Sequence, residues 1–355
     1  SVLANSSQRQ IEEETNKMGL KTAPKLCFLA IGAIALVITA TVYIYKYSSY
    51  RKSGQKSERK ISMFYQPLTK RPDGIIHVIQ KAMEISSTRG IVAVTVVNDA
   101  YIPLTYSWLC NTAKMSVHDK VLIIATDVAA WKKLQSRWPT VESVLIHFDD
   151  ELNAKLTYNE VRYLRYMLKR TELLLQLINS DVEFLLFEVD AVWFSSPFPL
   201  LKSLPQYDLI AAQIATTDHF VAGNFLNMRP SGAMRALYTT VTRKLKAVLD
   251  DVRILPGYSK LITNKEVNDQ TLLTAELEST KNSSFQFKLL ELTDVADGKW
   301  YDEDHKRDVK PPLIINNNWI IGISAKIERA KKFGHWFTFN NNTCNWKRVT
   351  AIGQH

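Results

Sequence analysis

Between Phe184 and Pro197 the chain reads FLLFEVDAVWFSSP, and no other stretch restricts the fold as much. The apolar run before Glu188 reads as a buried strand. It ends in two acidic residues one position apart, Glu188 and Asp190, followed by an apolar anchor and a proline stop. Residues i and i+2 of a strand point the same way, so both carboxylates can be presented at the strand's end. In an open α/β sheet that end is where ligands sit. Two hard oxygen donors there suit Mg²⁺ or Mn²⁺, and a divalent ion suits a nucleotide diphosphate. An ordinary acidic turn after a strand carries the same triplet, so the triplet alone leaves both readings open.

Strand and helix patterns alternate around this stretch. Ile76 to Ile85 reads as a helix, and the β-branched run from Gly90 to Val97 as a buried strand. Val121–Ala125 and Ser143–His147 read as the second and third strands. Asp208–Gln213 is another, and Val221-Ala-Gly-Asn-Phe-Leu-Asn227 a further one, before an amphipathic helix from Ser231 to Leu249. This alternation implies a largely parallel sheet with helices on both faces. The helix before the acidic strand is announced by Thr157-x-x-Glu160, a capping box. Val161, Leu164, Leu168, Leu175 and Ile178 recur at helical spacing. Arg162, Arg165 and Lys169 form a separate basic stripe, with Arg170 beside it. That stripe is either a solvated face or a source of one or two cations for a pyrophosphate.

The N-terminal region has a different character. Residues 1–25 are polar and mixed in charge, a candidate cytoplasmic tail. Leu26 to Tyr45 carries no charge and, as a helix, would span about 30 Å, the thickness of a bilayer core. A retained transmembrane helix fits better than a cleaved signal peptide, whose apolar core is shorter. Residues 46–75 are polar and basic and read as a stem; a lipid-binding juxtamembrane segment is the rival. Orientation signals conflict. Arg and Lys are denser after the apolar stretch (Lys46, Arg51, Lys52, Lys56, Arg59, Lys60) than before it (Arg9, Lys17, Lys21, Lys25), which favours a cytoplasmic C-terminal side. The sequons Asn282-Ser-Ser and Asn341-Asn-Thr have a use only in the lumen. Of three cysteines, only Cys110 and Cys344 could pair, and only if the main domain is lumenal.

The net charge of +10 would attract nucleic acid, anionic lipid or an anionic nucleotide substrate. No zinc-finger spacing or aromatic RNA-binding motif appears, so a nucleic-acid partner is not expected. No GxxxxGK[ST] loop supports a kinase or nucleotidase, and no Ser/His/Asp or Cys/His set stands out for hydrolysis.

The pattern Phe187-Glu-Val-Asp-Ala-Val-Trp193 with Pro197 resembles the nucleotide-diphospho-sugar transferase family, which includes plant xylosyl- and arabinosyltransferases. The resemblance covers most of the chain after about residue 88. It implies a GT-A-like (Rossmann-like), mostly parallel sheet flanked by helices over residues 76–355, preceded by the transmembrane helix and stem. It further implies a type II single-pass protein of the Golgi membrane with its catalytic domain in the lumen. The strand-Asn98-x-x-Tyr101 start is similar to the family's nucleotide-base loop, and Lys169 and Arg170 fall where a basic pair meets the pyrophosphate. Gly223 and Asn224 fall on a Gly-x-Phe strand, where a backbone approaches the sugar closely. Asp269 and Gln270 match an Asp-Gln pair beside the anomeric carbon, although spacing alone gives only a helix cap. Asn316-Asn-Asn-Trp-Ile-Ile-Gly322, with Lys326, resembles the family's His-Asn-Asn-Trp-Ile-x-Gly segment and its following phosphate-contacting Lys.

The implied function is a membrane-anchored glycosyltransferase using a nucleotide sugar, a UDP-sugar by expectation. It would act with retention on a glycan or glycoprotein acceptor, with Mn²⁺ or Mg²⁺ held by Glu188, Asp190 and Asn316. Two of those metal positions depart from the family pattern: Glu188 replaces an Asp and Asn316 a His. The departures leave an alternative open, a non-catalytic lumenal protein that binds glycans or partners through a degenerate transferase fold.

Overall fold

Buried strands need cover on both faces, and the helices here supply it. The computed structural model describes residues 73–153, 156–157, 160–215, 220–253, 267–280, 284–302 and 311–352. In chain order the elements are α1 (Asp73–Arg89), β1 (Val92–Val97), α2 (Ile102–Thr112), β2 (Val121–Ala125), α3 (Val128–Arg137) and β3 (Glu142–Leu145). Next come α4 (Val161–Asn179), β4 (Phe184–Phe187), β5 (Val192–Trp193), α5 (Phe198–Lys202), β6 (Leu209–Gln213) and β7 (Val221–Met228). The chain continues through α6 (Gly232–Arg253), α7 (Asp269–Ser279), β8 (Phe287–Leu290), β9 (Val295–Ala296), β10 (Ile314–Ile315), α8 (Ile323–Lys332) and α9 (Trp346–Ile352).

The main sheet runs β3-β2-β1-β4-β7-β6-β8. Every neighbouring pair is parallel except the two made by β7, which is antiparallel to β4 and β6. This is the mostly parallel, helix-flanked α/β sheet that the alternating pattern implies. All five residues of β2 are fully buried, as expected of a strand covered on both faces. On one face Val92 and Val94 pack with Val78 of α1, Leu174 of α4, Val241 of α6 and Leu273 of α7. On the other, Ala93 and Val97 pack with Leu109 of α2, Leu134 of α3 and Leu201 of α5.

A small second sheet, β5-β10-β9, builds onto the second face. Its β5 is clamped by Asn111, whose amide accepts from the Trp193 backbone N–H (2.8 Å) and donates to the Trp193 carbonyl (2.9 Å). A buried asparagine thus does the work of a neighbouring strand. The Trp193 ring closes an aromatic cluster with Trp108 and Phe187, centroids 4.5–5.4 Å apart. Cys110 and Cys344 form a disulfide, the one pair that the sequence leaves available. It joins α2 to the C-terminal turn, where Phe337 also donates its N–H to Ser107 Oγ (3.0 Å).

Several boundaries differ from the sequence reading, three of them near the site or the stem. The first helix starts at Asp73, inside the segment read as stem. The third strand ends at Leu145 rather than His147. Thr157 does not cap α4: its carbonyl accepts the Glu160 N–H (3.1 Å) in a turn that delays the helix to Val161, with Glu160 at the N-cap. The readings of tail, transmembrane helix and most of the stem lie outside the described residues, as do Cys27 and Asn282. Among the described residues no helix is long and apolar enough to cross a membrane.

Two predictions follow from this packing. Trp193→Ala removes a ring that is 0% exposed and is expected to cost about 3–5 kcal/mol in urea unfolding. His335, its Nδ1 3.0 Å from the Tyr301 hydroxyl, has its pKa pushed down to about 4 by burial and by Arg348. Its unfolded value is about 6.5, so the stability tied to its neutral form is complete above that pH and is lost as pH falls toward about 4. His335→Gln is expected to flatten that part of a melting-temperature profile between pH 7 and 4.

Candidate active site

Strands β1 and β4 run parallel, with Val94 opposite Leu186, so they end at the same edge of the sheet. β1 delivers Asn98 and Tyr101 there, and β4 delivers Glu188. A cleft of about 180 Å³ opens above this edge. Val96, Phe187 and Glu188 line its floor; Tyr163, Tyr166 and Arg170 of α4 form one wall; Ile320–Ile323 and Lys326 form the other.

The charges in this cleft are arranged as two short chains. Arg170, 6% exposed, donates through Nη1 to Glu188 Oε1 (3.0 Å) and through Nη2 to Asp269 Oδ2 (2.6 Å). Lys326 donates through Nζ to Asp190 Oδ2 (2.5 Å). Burial disfavours the charge on both cations, yet Asp269 and Glu188 hold the Arg170 pKa well up, and Asp190 and Glu188 raise that of Lys326. Glu188 is pushed up, first by burial and then by Asp190, against the pull of Arg170 and Lys326. Its side chain still opens into the cleft, 39% exposed, while protein packs around its base. The Tyr101 hydroxyl is raised by burial and by Glu188 and Asp190, with Lys326 opposing.

Several buried polar atoms in this region have no hydrogen-bond partner: Asp190 Oδ1, Asn224 Oδ1 and both amide atoms of Asn316. Buried polar groups are ordinarily satisfied, so such atoms point to a missing ligand. Asn316 follows β10, whose Ile315 pairs with Val192, two residues after Asp190. Among the described residues no three His, Cys, Asp or Glu side chains cluster as a metal site; a three-ligand set at the acidic pair would need the Asn316 amide.

The candidates from the sequence separate clearly. Asn98, Tyr101, Arg170, Glu188 and Lys326 line one cleft. Asp190 and Asp269 join it through their cations. Asn268 caps α7 by a reciprocal pair with Thr271, which fixes Asp269 and Gln270 at the helix start. Gln270 Oε1 accepts the Gly223 N–H (2.9 Å), and a Cβ on Gly223 would stand 3.2 Å from the Gln270 Cβ. The close approach at Gly223 is thus made by the Gln270 side chain. Asn224 follows in β7, where the register against β6 shifts between Ala211 and Gln213. Lys169 does not line the cleft; its charge acts on Glu172. Arg162 and Arg165, both half-buried, pair with Glu160 and Glu151, and of the basic residues on this helix Arg170 is the one that lines the cleft. The tyrosine wall was missed. Tyr163, Tyr166 and Arg170 follow i, i+3, i+7 spacing, a signal obscured by the leucines sharing that helix. Asp127 was also passed over: it caps α3 by accepting the Ala130 N–H (2.8 Å) and holds the Asp99 N–H (2.7 Å), bracing the Asn98–Tyr101 turn.

Charges of both signs, fixed at the carboxyl edge of a mostly parallel sheet, mark the ligand-binding edge of an α/β fold. The family model described as nucleotide-diphospho-sugar transferase matches residues 116–330. The chain belongs to the nucleotide-diphospho-sugar transferase family, a family of glycosyltransferases. Among its relatives is an Arabidopsis thaliana UDP-D-xylose:L-fucose alpha-1,3-D-xylosyltransferase, 23% identical over 73% of each chain. Another is the beta-arabinofuranosyltransferase RAY1 of the same plant, 21% identical over 69% of this chain and 47% of that protein. Similar solved structures include the glycosyltransferase GlyE of Streptococcus pneumoniae, with TM-score 0.42, 14% identity, and coverage of 74% of this chain and 62% of that one. The galactosyltransferase LgtC, solved with donor and acceptor sugar analogues, gives TM-score 0.42 and 14% identity over 74% of this chain and 95% of that one.

Arg170→Met leaves Asp269 buried without its cation. The expected cost is about 3–5 kcal/mol, read by urea unfolding. Adding Asp269→Asn is expected to recover part of it, which a double-mutant cycle measures.

Proposed function

We propose that this protein transfers a sugar from a UDP-sugar to a hydroxyl of a glycan or glycoprotein, with retention at the anomeric carbon. The observation carrying the proposal is the pair of ion chains at the sheet edge, Asp269–Arg170–Glu188 and Asp190–Lys326. A diphosphate entering the cleft meets Lys326 and Arg170, two cations already desolvated and held in place, so little reorganisation is required. Asn98 and Tyr101, on the braced turn after β1, would receive the nucleoside. Asp269, held at the start of α7 by its ion pair with Arg170, would present its carboxylate to the donor sugar. Gln270 has its carbonyl oxygen committed to Gly223, which leaves its NH₂ to donate to the donor sugar. The relatives' names make UDP-xylose the first donor to test.

The donor set fits a hard divalent cation. Asp190 Oδ1 and the Asn316 amide oxygen are buried and unpartnered, and Glu188 adds an oxygen facing the cleft. These residues would hold Mn²⁺ or Mg²⁺, which would supply Lewis-acid neutralisation of the departing diphosphate. A second reading, a non-catalytic glycan- or partner-binding protein, is favoured by the same ion pairs, because Arg170 and Lys326 already occupy one oxygen of each acid. Nucleotide release from a panel of UDP-sugars, with Mn²⁺ and with EDTA, separates the two. Transfer predicts Mn²⁺-dependent release from one donor and a loss on the order of 100-fold in Asp190→Ala. A folded protein that binds and turns over no donor leaves the binding reading standing.

The same proposal puts the domain on the lumenal side of a Golgi membrane, anchored by residues 26–45. Supporting this, the Cys110–Cys344 disulfide suits an oxidising compartment. Asn341 lies exposed on the C-terminal turn, its Oδ1 accepting from the Thr343 N–H (3.1 Å) and hydroxyl (2.6 Å). Expression of the full chain in a eukaryotic secretory host is expected to give a glycosidase-sensitive mobility shift that Asn341→Gln reduces; a cytoplasmic domain would show none.

A further inference from the structure

Trp319 stands apart from the other residues beside the cleft. Its backbone is left-handed, φ 60°, a region that a bulky side chain rarely occupies. It is nevertheless 49% exposed, and its neighbour Ile321 is 73% exposed. Such a conformation persists only where the surroundings over-determine it, and here they do. Asn317 Oδ1 accepts from Arg329 Nε (2.7 Å), and its amide donates to the Lys326 carbonyl (3.0 Å). Asn318 Oδ1 accepts the Gly298 N–H (2.5 Å), and its carbonyl accepts from Arg329 Nη2. A Cβ on Gly298 would stand 2.0 Å from the Asn318 carbonyl oxygen, so only glycine admits the loop at this depth.

The indole itself is fixed on two sides. Its Nε1–H donates to Asp297 Oδ2 (2.5 Å), and the Lys299 ammonium lies 4.5 Å from the ring centroid. Asp297 is anchored in turn by the Ala215 and Lys299 backbone N–H groups (2.8 and 3.0 Å). With a cation over the ring and the N–H engaged, the indole is held in place while staying half exposed. The next residues, Ile320 to Ile323, line the cleft wall, so Trp319 directly precedes that wall in the chain.

We propose that Trp319 is the stacking platform for the acceptor sugar, with Ile321 extending it toward the cleft. An indole face carries negative charge density, and the C–H face of a pyranose presents weakly positive hydrogens to it. A flat sugar ring therefore suits this surface, whereas the diphosphate is served by Lys326 and Arg170 deeper in. This inference rests on the glycosyltransferase reading for its chemistry, but binding tests it separately.

The experiment uses the purified full chain and a panel of methyl glycosides, methyl α-L-fucopyranoside first because two-substrate relatives carry L-fucose in their names. Saturation-transfer NMR reads binding; nucleotide release without acceptor reads donor turnover; transfer kinetics read the acceptor KM. Wild-type protein is expected to show saturation on ring C–H protons of one glycoside. Trp319→Ala is expected to abolish that saturation and raise the acceptor KM at least about 10-fold, with donor turnover within about twofold. Trp319→Phe, which keeps an aromatic face, is expected to restore most of the binding. If wild type binds a glycoside through Trp319 but releases no nucleotide from any donor, the platform stands and the transferase reading falls. If Trp319→Ala leaves both glycoside binding and acceptor KM unchanged, or no glycoside binds to the wild type, the platform is overturned.

Discussion

The Arg170 guanidinium is the joint on which the site is built. It reaches the strand that ends in Glu188 with one nitrogen and the helix that starts at Asp269 with another. Arg170 and Asp269 are 99 residues apart in sequence, and α4 brings the cation between the two elements. Only a planar, permanently charged fork can serve two carboxylates in this way. Remove it and the acids repel each other and lose their register to the cleft, so the joint is at once structural and electrostatic. Lys326 plays the corresponding part for Asp190 from the opposite wall. Each acid near the floor is thus held by a cation from a different side of the cleft.

The fold was legible because burial writes itself into sequence. β2 is apolar throughout and fully buried, and its boundaries can be read directly from the run. The antiparallel entry of β7 was not legible, since strand direction depends on connections rather than on side-chain period. Nor was the shifted register beside Gly223, which packing against β6 imposes. Thr157 illustrates a local limit: a capping-box pattern has the right spacing, but a backbone turn between Thr157 and Glu160 competes with it.

The site was half legible. Acidic and basic residues at strand ends and helix starts declare themselves, but their pairing does not. Nothing in Lys169-Arg170 says which side chain faces in; the helical phase relative to the sheet decides it. Gly223 shows a contact that spacing alone does not name. It does admit a close neighbour, and that neighbour is the Gln270 side chain. Asn316 was read as a substitute ligand, and its unpartnered amide is the structural fact that keeps that question chemical rather than statistical.

The Cys110–Cys344 bond closes a covalent ring across a sequence separation of 234 residues. Every residue from the acidic strand to Lys326 lies inside that ring. During synthesis Cys110 emerges 234 residues before its partner. The ring is therefore closed by a residue that follows the whole cleft: a chain that stops before residue 344 carries the complete cleft sequence yet cannot make the bond.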